Sequence, residues 1–148
     1  MNDLKACVAT SRQWKGMEVA AELWSKIKKE APDTKFILLF ATIDYKDEFK
    51  DILSHLKREF KNTSMVGGTV AGFISQDGCY TRGVSAFAVD YPNMDVAVGV
   101  GHNTKRSPEK AGTERAKQIK EGLKNSKWKN GFIFSFISGL EVPQVPGA

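Results

Sequence analysis

The stretch KFILLFAT at residues 35–42 decides the fold, because it is apolar at every position from Phe36 to Ala41. An unbroken apolar run of this length is typical of a strand that is covered on both faces. Helical patterns flank it, Trp14–Ala31 before it and a second one that ends at Phe60 after it. A buried strand between two amphipathic helices predicts an α/β domain with a parallel sheet core.

The alternation continues outward to one further strand on each side. Leu4–Thr10 precedes the first helical pattern, and Ser64–Val66 follows the second. The period of 3.6 residues puts one apolar stripe on the first helix, with Leu23 beside it. The stripe comprises Met17, Ala20, Ala21, Trp24, Ile27 and Ala31. Strand, helix, strand, helix, strand in this order predicts parallel strands joined by right-handed crossovers.

The pattern changes after the third strand, where tight turns replace helices. Phe73–Ser75 and Cys79–Asp90 flank the turn at residues 76–78, whose Asp-Gly pair favours a β-hairpin. Met94–His102 alternates valine with small or polar residues and is predicted as the next strand. Three consecutive strands joined by turns indicate an antiparallel meander.

A third helix and a last strand complete the predicted elements. Ser107-Pro108 is a typical helix start, with a capping residue followed by proline at the first position. Gly131–Ser138 is predicted as a strand, and residues 140–148 as an exit segment rich in proline and glycine. The sequence therefore predicts an α/β fold with α+β character: a mixed sheet with a βαβαβ start, an antiparallel meander and about three flanking helices. We expect residues 1–148 to form a single domain.

Composition narrows the class of protein. The longest apolar runs are much shorter than the ~20 residues of a membrane-spanning helix, and Met1–Thr10 lacks the pattern of a secretory signal. These features predict a cytoplasmic chain without membrane contact, in which Cys7 and Cys79 are reduced thiols. The net charge of +5 is concentrated between Lys105 and Lys129, where nine basic residues face three acidic ones. A solvated helix face explains this run; the alternative is a nucleic-acid surface.

Small residues dominate the segment Gly67-Gly68-Thr69-Val70-Ala71-Gly72, which follows the third strand. They permit a close approach of the backbone to a ligand, and equally a tight corner between two strands. The segment is not a phosphate-binding loop, because no Gly-Lys-Ser/Thr follows it.

Recognisable catalytic and metal-binding patterns are absent from the sequence, which favours a protein that is not an enzyme and binds no metal. It contains neither a GxSxG nor an HExxH motif. His55 lies away from the apolar face of its helix, whereas His102 ends a predicted strand beside Gly101 and Asn103, a typical position for ligand contacts. An unrecognised enzyme, with Thr69 or Ser85 as nucleophile, stays an alternative.

The segment after the third strand resembles the corresponding segment of FIST domains, which commonly show Gly-Cys-Ser/Thr-Xaa-Ala-Gly-Glu there. Gly67, Thr69, Ala71 and Gly72 match this pattern, whereas position 68 is glycine instead of cysteine and position 73 is phenylalanine instead of an acid. The order of the later elements is also similar. The resemblance covers the chain from Val8 to Gly139.

The resemblance to this family implies a non-catalytic, small-ligand-sensing domain of intracellular signal transduction, with an amino acid as the suggested ligand. It also implies a signalling partner, and a C-terminal FIST half that would follow residues 140–148. No cofactor is expected; the alternative is a haem-binding gas sensor with His102 as the axial ligand. The predicted ligand-binding residues are Gly67, Gly68, Thr69, Ala71, Gly72, Gly101, His102 and Asn103.

Self-association is the last expectation. Gly131–Ser138 is apolar on both faces, and the third helix offers only a thin stripe of small residues to cover the sheet. Exposed apolar surface marks an interface, so we expect a homodimer.

Overall fold

The computed structural model describes residues 3–136. The chain divides into two compact units, Met1–Met94 and Asp95–Ala148, which are treated separately below. The helices and strands, in chain order, are β1 (Lys5–Ser11), α1 (Gly16–Glu30), β2 (Phe36–Thr42), a 3-10 turn (Ile43–Tyr45), α2 (Phe49–Glu59), β3 (Ser64–Val70), β4 (Phe73–Ser75), β5 (Gly78–Tyr80), β6 (Val84–Asp90) and α3 (Pro108–Gly122).

The first unit is built on a four-stranded mixed sheet with the order β1-β6-β2-β3. β2 and β3 are parallel, while β6 is antiparallel to both β1 and β2. Therefore β1, β2 and β3 all run in one direction, and β6 lies between the first two. The predicted fold class is confirmed: a mixed sheet with a βαβαβ start, a second small sheet and three α-helices among the described residues.

Both crossover helices lie on the same face of this sheet. The strand order moves in one direction from β1 to β2 to β3, so two right-handed crossovers must pass over the same side. Alternate residues of each strand point toward the helices, and the buried ones form one core with α1 and α2. In the two antiparallel strands β1 and β6 these are Cys7, Ala9, Val84, Ala86 and Ala88.

The buried face of α1 differs from the predicted stripe. Met17 is 47% exposed and Ala21 is exposed, whereas Val19 and Leu23 are fully buried. This helix has two overlapping apolar stripes: the predicted one, and another that includes Val19 and Leu23. The contacts of α1 with β1 and α2 bury the stripe that includes Val19 and Leu23. Periodicity alone does not distinguish them, because they differ by a small rotation of the helix.

The predicted hairpin is present as β4 and β5, with Gly78, the first residue of β5, at a φ of +141° directly after the turn. The predicted strand Cys79–Asp90 is divided by residues 81–83. Gly83, at φ +155°, lies so close to the Phe73 ring and the Ser11 carbonyl oxygen that a Cβ would approach them to 3.0–3.1 Å. Gly83 thus fits this close approach at the point where the chain leaves the hairpin and enters β6.

In the second unit, α3 begins at Pro108 with Ser107 before it, as predicted. The strand predicted for Met94–His102 is wrong, because residues 94–102 contain no strand. The predicted three-strand antiparallel meander is therefore wrong too: β4 pairs with β5, whereas β6 pairs with β1 and β2. Instead the Gln118 side chain satisfies both backbone groups of Val100, with N–Oε1 and Nε2–O distances of 2.9 and 3.0 Å.

The last predicted strand, Gly131–Ser138, is wrong for residues 131–136, which are exposed and form no strand. Its final two residues and the exit segment 140–148 lie outside the described residues. Among those that are described, no helix has the length and apolar character required to cross a membrane.

Candidate functional site: a groove between β3 and α2

A groove of about 200 Å³ lies in the first unit, between the edge strand β3 and helix α2. Its lining is mostly apolar and comprises Leu39, Ala41, Phe49, Ile52, Leu53, Met65, Val66, Gly67, Gly68 and Thr69. Ligand sites are typically concave and apolar with a few polar groups, and this groove has that character. Three of the predicted ligand-binding residues, Gly67, Gly68 and Thr69, line the groove; they lie within β3 and not, as predicted, in a segment that follows the strand.

The free edge of β3 gives the groove its polar groups. Among the described strands, β3 pairs only with β2. The outer edge of such a strand presents backbone N–H and C=O groups that a ligand can bind. The exposed Thr69, which is in register with Ala41 of β2, adds one hydroxyl group at the end of the groove.

The two adjacent glycines differ in their surroundings. A Cβ at Gly67 would lie 1.7 Å from the Leu39 carbonyl oxygen, so only glycine fits beside β2 at this position. A Cβ at Gly68 would meet no atom within 4 Å. The sequence predicted that these glycines let the backbone approach a ligand. At Gly67 the backbone instead approaches the neighbouring strand β2.

Ala71 and Gly72 lie beyond the groove, at the corner that leads into the hairpin. Ala71 is exposed, and a Cβ at Gly72 would lie 2.7 Å from the Tyr80 carbonyl oxygen. Gly72 thus lets the start of β4 close against the end of β5. The ligand role predicted for these two residues stays a prediction.

The other three predicted residues, Gly101, His102 and Asn103, lie in the second unit, in the loop before α3. Asn103 has a φ of 57°, and its carbonyl oxygen accepts hydrogen bonds from the Arg106 and Ser107 N–H groups at 3.0 and 2.9 Å. His102 is exposed. This geometry explains Asn103 as the residue that closes the turn into α3; the predicted ligand and haem roles of the loop stay predictions.

The thiols differ in environment. Burial, with a smaller contribution from the charge of Glu30, raises the pKa of Cys7, so this thiol is held neutral and packs in the core. Cys79 is exposed. Within residues 3–136, no group of three or more His, Cys, Asp or Glu side chains is placed to hold a metal ion.

The basic residues between Lys105 and Lys129 include exposed side chains along α3, of which Lys110, Lys117 and Lys120 are examples. A salt bridge links Lys124 to Glu121. The nucleic-acid role weighed for this run stays an alternative prediction.

A second group of polar side chains, which the sequence reading did not single out, lies where β1 and β2 end and β6 begins. Burial raises the pKa of Tyr45, against the opposing charge of Arg82, and its hydroxyl donates to the Gln13 carbonyl oxygen at 2.8 Å. Nearby, burial favours a higher pKa for Glu22, but hydrogen bonds from Lys26 and Ser11 outweigh it and hold that pKa below its ordinary value. The sequence does contain one indication of this group, namely its position: polar residues follow β1 directly. Because the carboxyl ends of parallel strands meet at one edge of a sheet, such residues are expected near a ligand site.

Comparison with known protein families identifies the family to which this chain belongs. The model of the FIST N domain matches residues 35–146, which is more than half of the chain. The chain belongs to the FIST family. FIST domains are sensory domains of signal-transduction proteins, and the resemblance noted from the sequence is confirmed. The matched residues of this FIST chain include the whole lining of the groove, whereas β1 and α1 precede them. No curated protein matches the chain significantly.

Proposed function

We propose that this FIST chain is a non-catalytic sensory domain that binds a small molecule in the groove between β3 and α2. The observation that carries the proposal is the groove itself: about 200 Å³, apolar walls, one hydroxyl and a strand edge that no other described strand pairs with. This combination suits a ligand with an apolar body and one hydrogen-bonding end. An apolar amino acid is such a ligand, and a signalling protein is the partner proposed to receive the signal.

Binding without turnover is proposed from the chemistry of the lining. Among the described residues that line the groove, Thr69 has the only hydroxyl, and none has an imidazole, carboxylate or amine. Acid–base or nucleophilic catalysis needs such a group within hydrogen-bond reach of the reacting atoms. The groove therefore supports binding better than it supports a reaction.

Thermal unfolding with a panel of apolar and polar amino acids tests the proposal. A ligand at a hundredfold excess over its Kd stabilises the folded state by about 2.7 kcal/mol, so the midpoint should rise with leucine-like ligands. Thr69→Phe fills the end of the groove and should abolish the rise. Thr113→Phe is the control, since its hydroxyl bonds only within α3, to the Glu109 carbonyl oxygen.

Two results would contradict the proposal. One is a panel in which no amino acid shifts the midpoint. The other is a shift that survives Thr69→Phe unchanged, because the ligand would then bind outside the groove.

A further inference from the structure

The carboxyl ends of β1 and β2 and the start of β6 lie together at one edge of the sheet. The register pairs Ser11 with Val84 and Ala41 with Val84, which places the residues that follow Ser11 beside those that precede β6. In open α/β sheets, ligands bind outside the carboxyl ends of the parallel strands. The hollow described below and the groove beside β3 have no lining residue in common.

Arg82 is fixed at this edge by three contacts. Its Nη1 donates to the Tyr45 hydroxyl at 2.9 Å, and its Nη2 donates to the Arg12 carbonyl oxygen at 3.0 Å. Its guanidinium carbon lies 3.8 Å from the centre of the Trp14 ring. A guanidinium has five N–H donors, so the three that remain are held in a defined orientation.

Arg12 is the second guanidinium of the cluster. It lies over the Tyr80 ring at 5.3 Å, and its chain neighbour Ser11 is buried. A hollow of about 290 Å³ opens beside Arg12 and has largely polar walls, lined by Thr10, Ser11, Arg12, Gln13, Glu22 and Lys26. Trp14, although held by Arg82, is 72% exposed. Arg82 and Trp14 do not line the hollow, but Arg82 contacts both Arg12, which lines it, and Trp14, so charge, exposed ring and hollow are adjacent.

The positive charges at this edge lack partners of opposite sign in the part of the chain that the structure describes. Within residues 3–136, neither Arg12 nor Arg82 forms a salt bridge to a carboxylate. The nearby acids are occupied: Glu22 accepts from Ser11 and Lys26, both at 2.7 Å, and Asp44 accepts from Thr42 at 2.8 Å. Arg82 bonds the backbone of Arg12, and the charges of both guanidinium groups oppose the rise in the pKa of Tyr45. A bound anion would balance these like charges.

We propose that Arg12 and Arg82 bind the carboxylate or phosphate group of a small molecule, whose body occupies the hollow beside Arg12 and contacts Trp14. The forked donors of arginine match the paired oxygens of both groups. Two members of the cluster, Arg12 and Trp14, precede the residues matched by the FIST N domain. The site thus goes beyond the groove and does not depend on it.

Tryptophan fluorescence of the whole chain, titrated at constant ionic strength with benzoate, acetate or inorganic phosphate against chloride, tests the site. Ligand binding should change the emission of Trp14, and Trp14→Phe identifies the signal among the three tryptophans. Arg12→Gln should weaken binding about tenfold or more, because a charged hydrogen bond is lost. Among the described residues, the Arg12 side chain stacks on Tyr80 and forms no salt bridge, so the fold should persist in this variant. Arg82→Lys should weaken binding as well, since lysine keeps the charge but lacks the fork.

Arg58→Gln is the matched control, because Arg58 lies on α2 and pairs with Glu59 at 3.1 Å; it should bind like the wild type. Benzoate binding without phosphate binding identifies a carboxylate site, and the reverse identifies a phosphate site. The proposal is overturned if none of the three anions binds, or if Arg12→Gln and Arg58→Gln bind equally. Thr69→Phe should leave anion binding unchanged, which separates failure of this site from failure of the groove.

Discussion

At the scale of single residues, the pair Gly67-Gly68 shows how two identical residues acquire different roles. Gly67 is required by the backbone of β2, whose Leu39 carbonyl oxygen occupies the space of a Cβ. Gly68 lies on the open side of β3. Neither has a positive φ, so the difference is one of space and not of backbone conformation.

Replacing each glycine by alanine should therefore give opposite results. Gly67→Ala must displace β3 from β2 and should lower the free energy of unfolding by at least about 3 kcal/mol. Gly68→Ala should change it by no more than about 0.5 kcal/mol, or raise it slightly by restricting the unfolded chain. Urea titrations of the two variants measure this. Equal losses would show that β3 does not pair with β2 at Leu39.

Tyr45 and Arg82 show that residues far apart in the chain can form one contact. They are separated by 37 residues in the chain, yet the Tyr45 hydroxyl accepts from Arg82 and donates to Gln13. Nothing in the local sequence of either residue indicates this contact. Only the return of β6 between β1 and β2 brings the three segments together.

At the scale of elements, α1 shows what a periodic pattern does and does not determine. The pattern predicts an amphipathic helix at about the observed position, and Gly16–Glu30 is helical. It does not determine the rotation of the helix about its axis. Leu23, predicted beside the stripe, is fully buried, and Met17, predicted within it, is 47% exposed.

Truncation of the two side chains distinguishes the stripes. Leu23→Ala should cost about 2–5 kcal/mol, since it leaves a cavity in the core, whereas Met17→Ala should cost less than about 1 kcal/mol. Urea midpoints at an unchanged slope provide the measurement. A larger loss for Met17→Ala would mean that α1 packs on the stripe predicted from the sequence.

The segment 94–102 illustrates the opposite failure, in which a strand pattern is present but no strand forms. Its valines alternate as in a strand, yet Val100 is bonded by the Gln118 side chain. A Cβ at Gly99 or Gly101 would lie within 2.6 Å of backbone oxygens of α3. The small residues that suited a strand instead allow an extended segment to lie against a helix.

At the scale of the whole molecule, exposed apolar side chains bear on self-association. Phe132 and Ile133 are 79% and 78% exposed in the described part of the second unit. We expect the chain to form dimers that cover them, because clustered exposed apolar groups favour association. Light scattering at micromolar concentration should give twice the monomer mass, and Phe132→Ser with Ile133→Ser should restore the monomer.

Leu4→Ser is the matched control for that experiment. Leu4 is 62% exposed but lies alone before β1, so its replacement should leave the mass unchanged. A wild-type chain that scatters as a monomer and binds no apolar dye would refute the expectation.

The sequence by itself determined the class of fold, the alternation of helices and strands up to β3, the hairpin turn at Asp77-Gly78, the start of α3 at Pro108 and the family. These features depend on local periodicity, turn chemistry and short motifs, which neighbouring residues specify. The insertion of β6 between β1 and β2, the rotation of α1, the groove beside β3 and the pairing of Arg82 with Tyr45 were decided only by tertiary structure. The physical reason is that each depends on contacts between distant segments, whose free energies appear only when the whole sheet has formed.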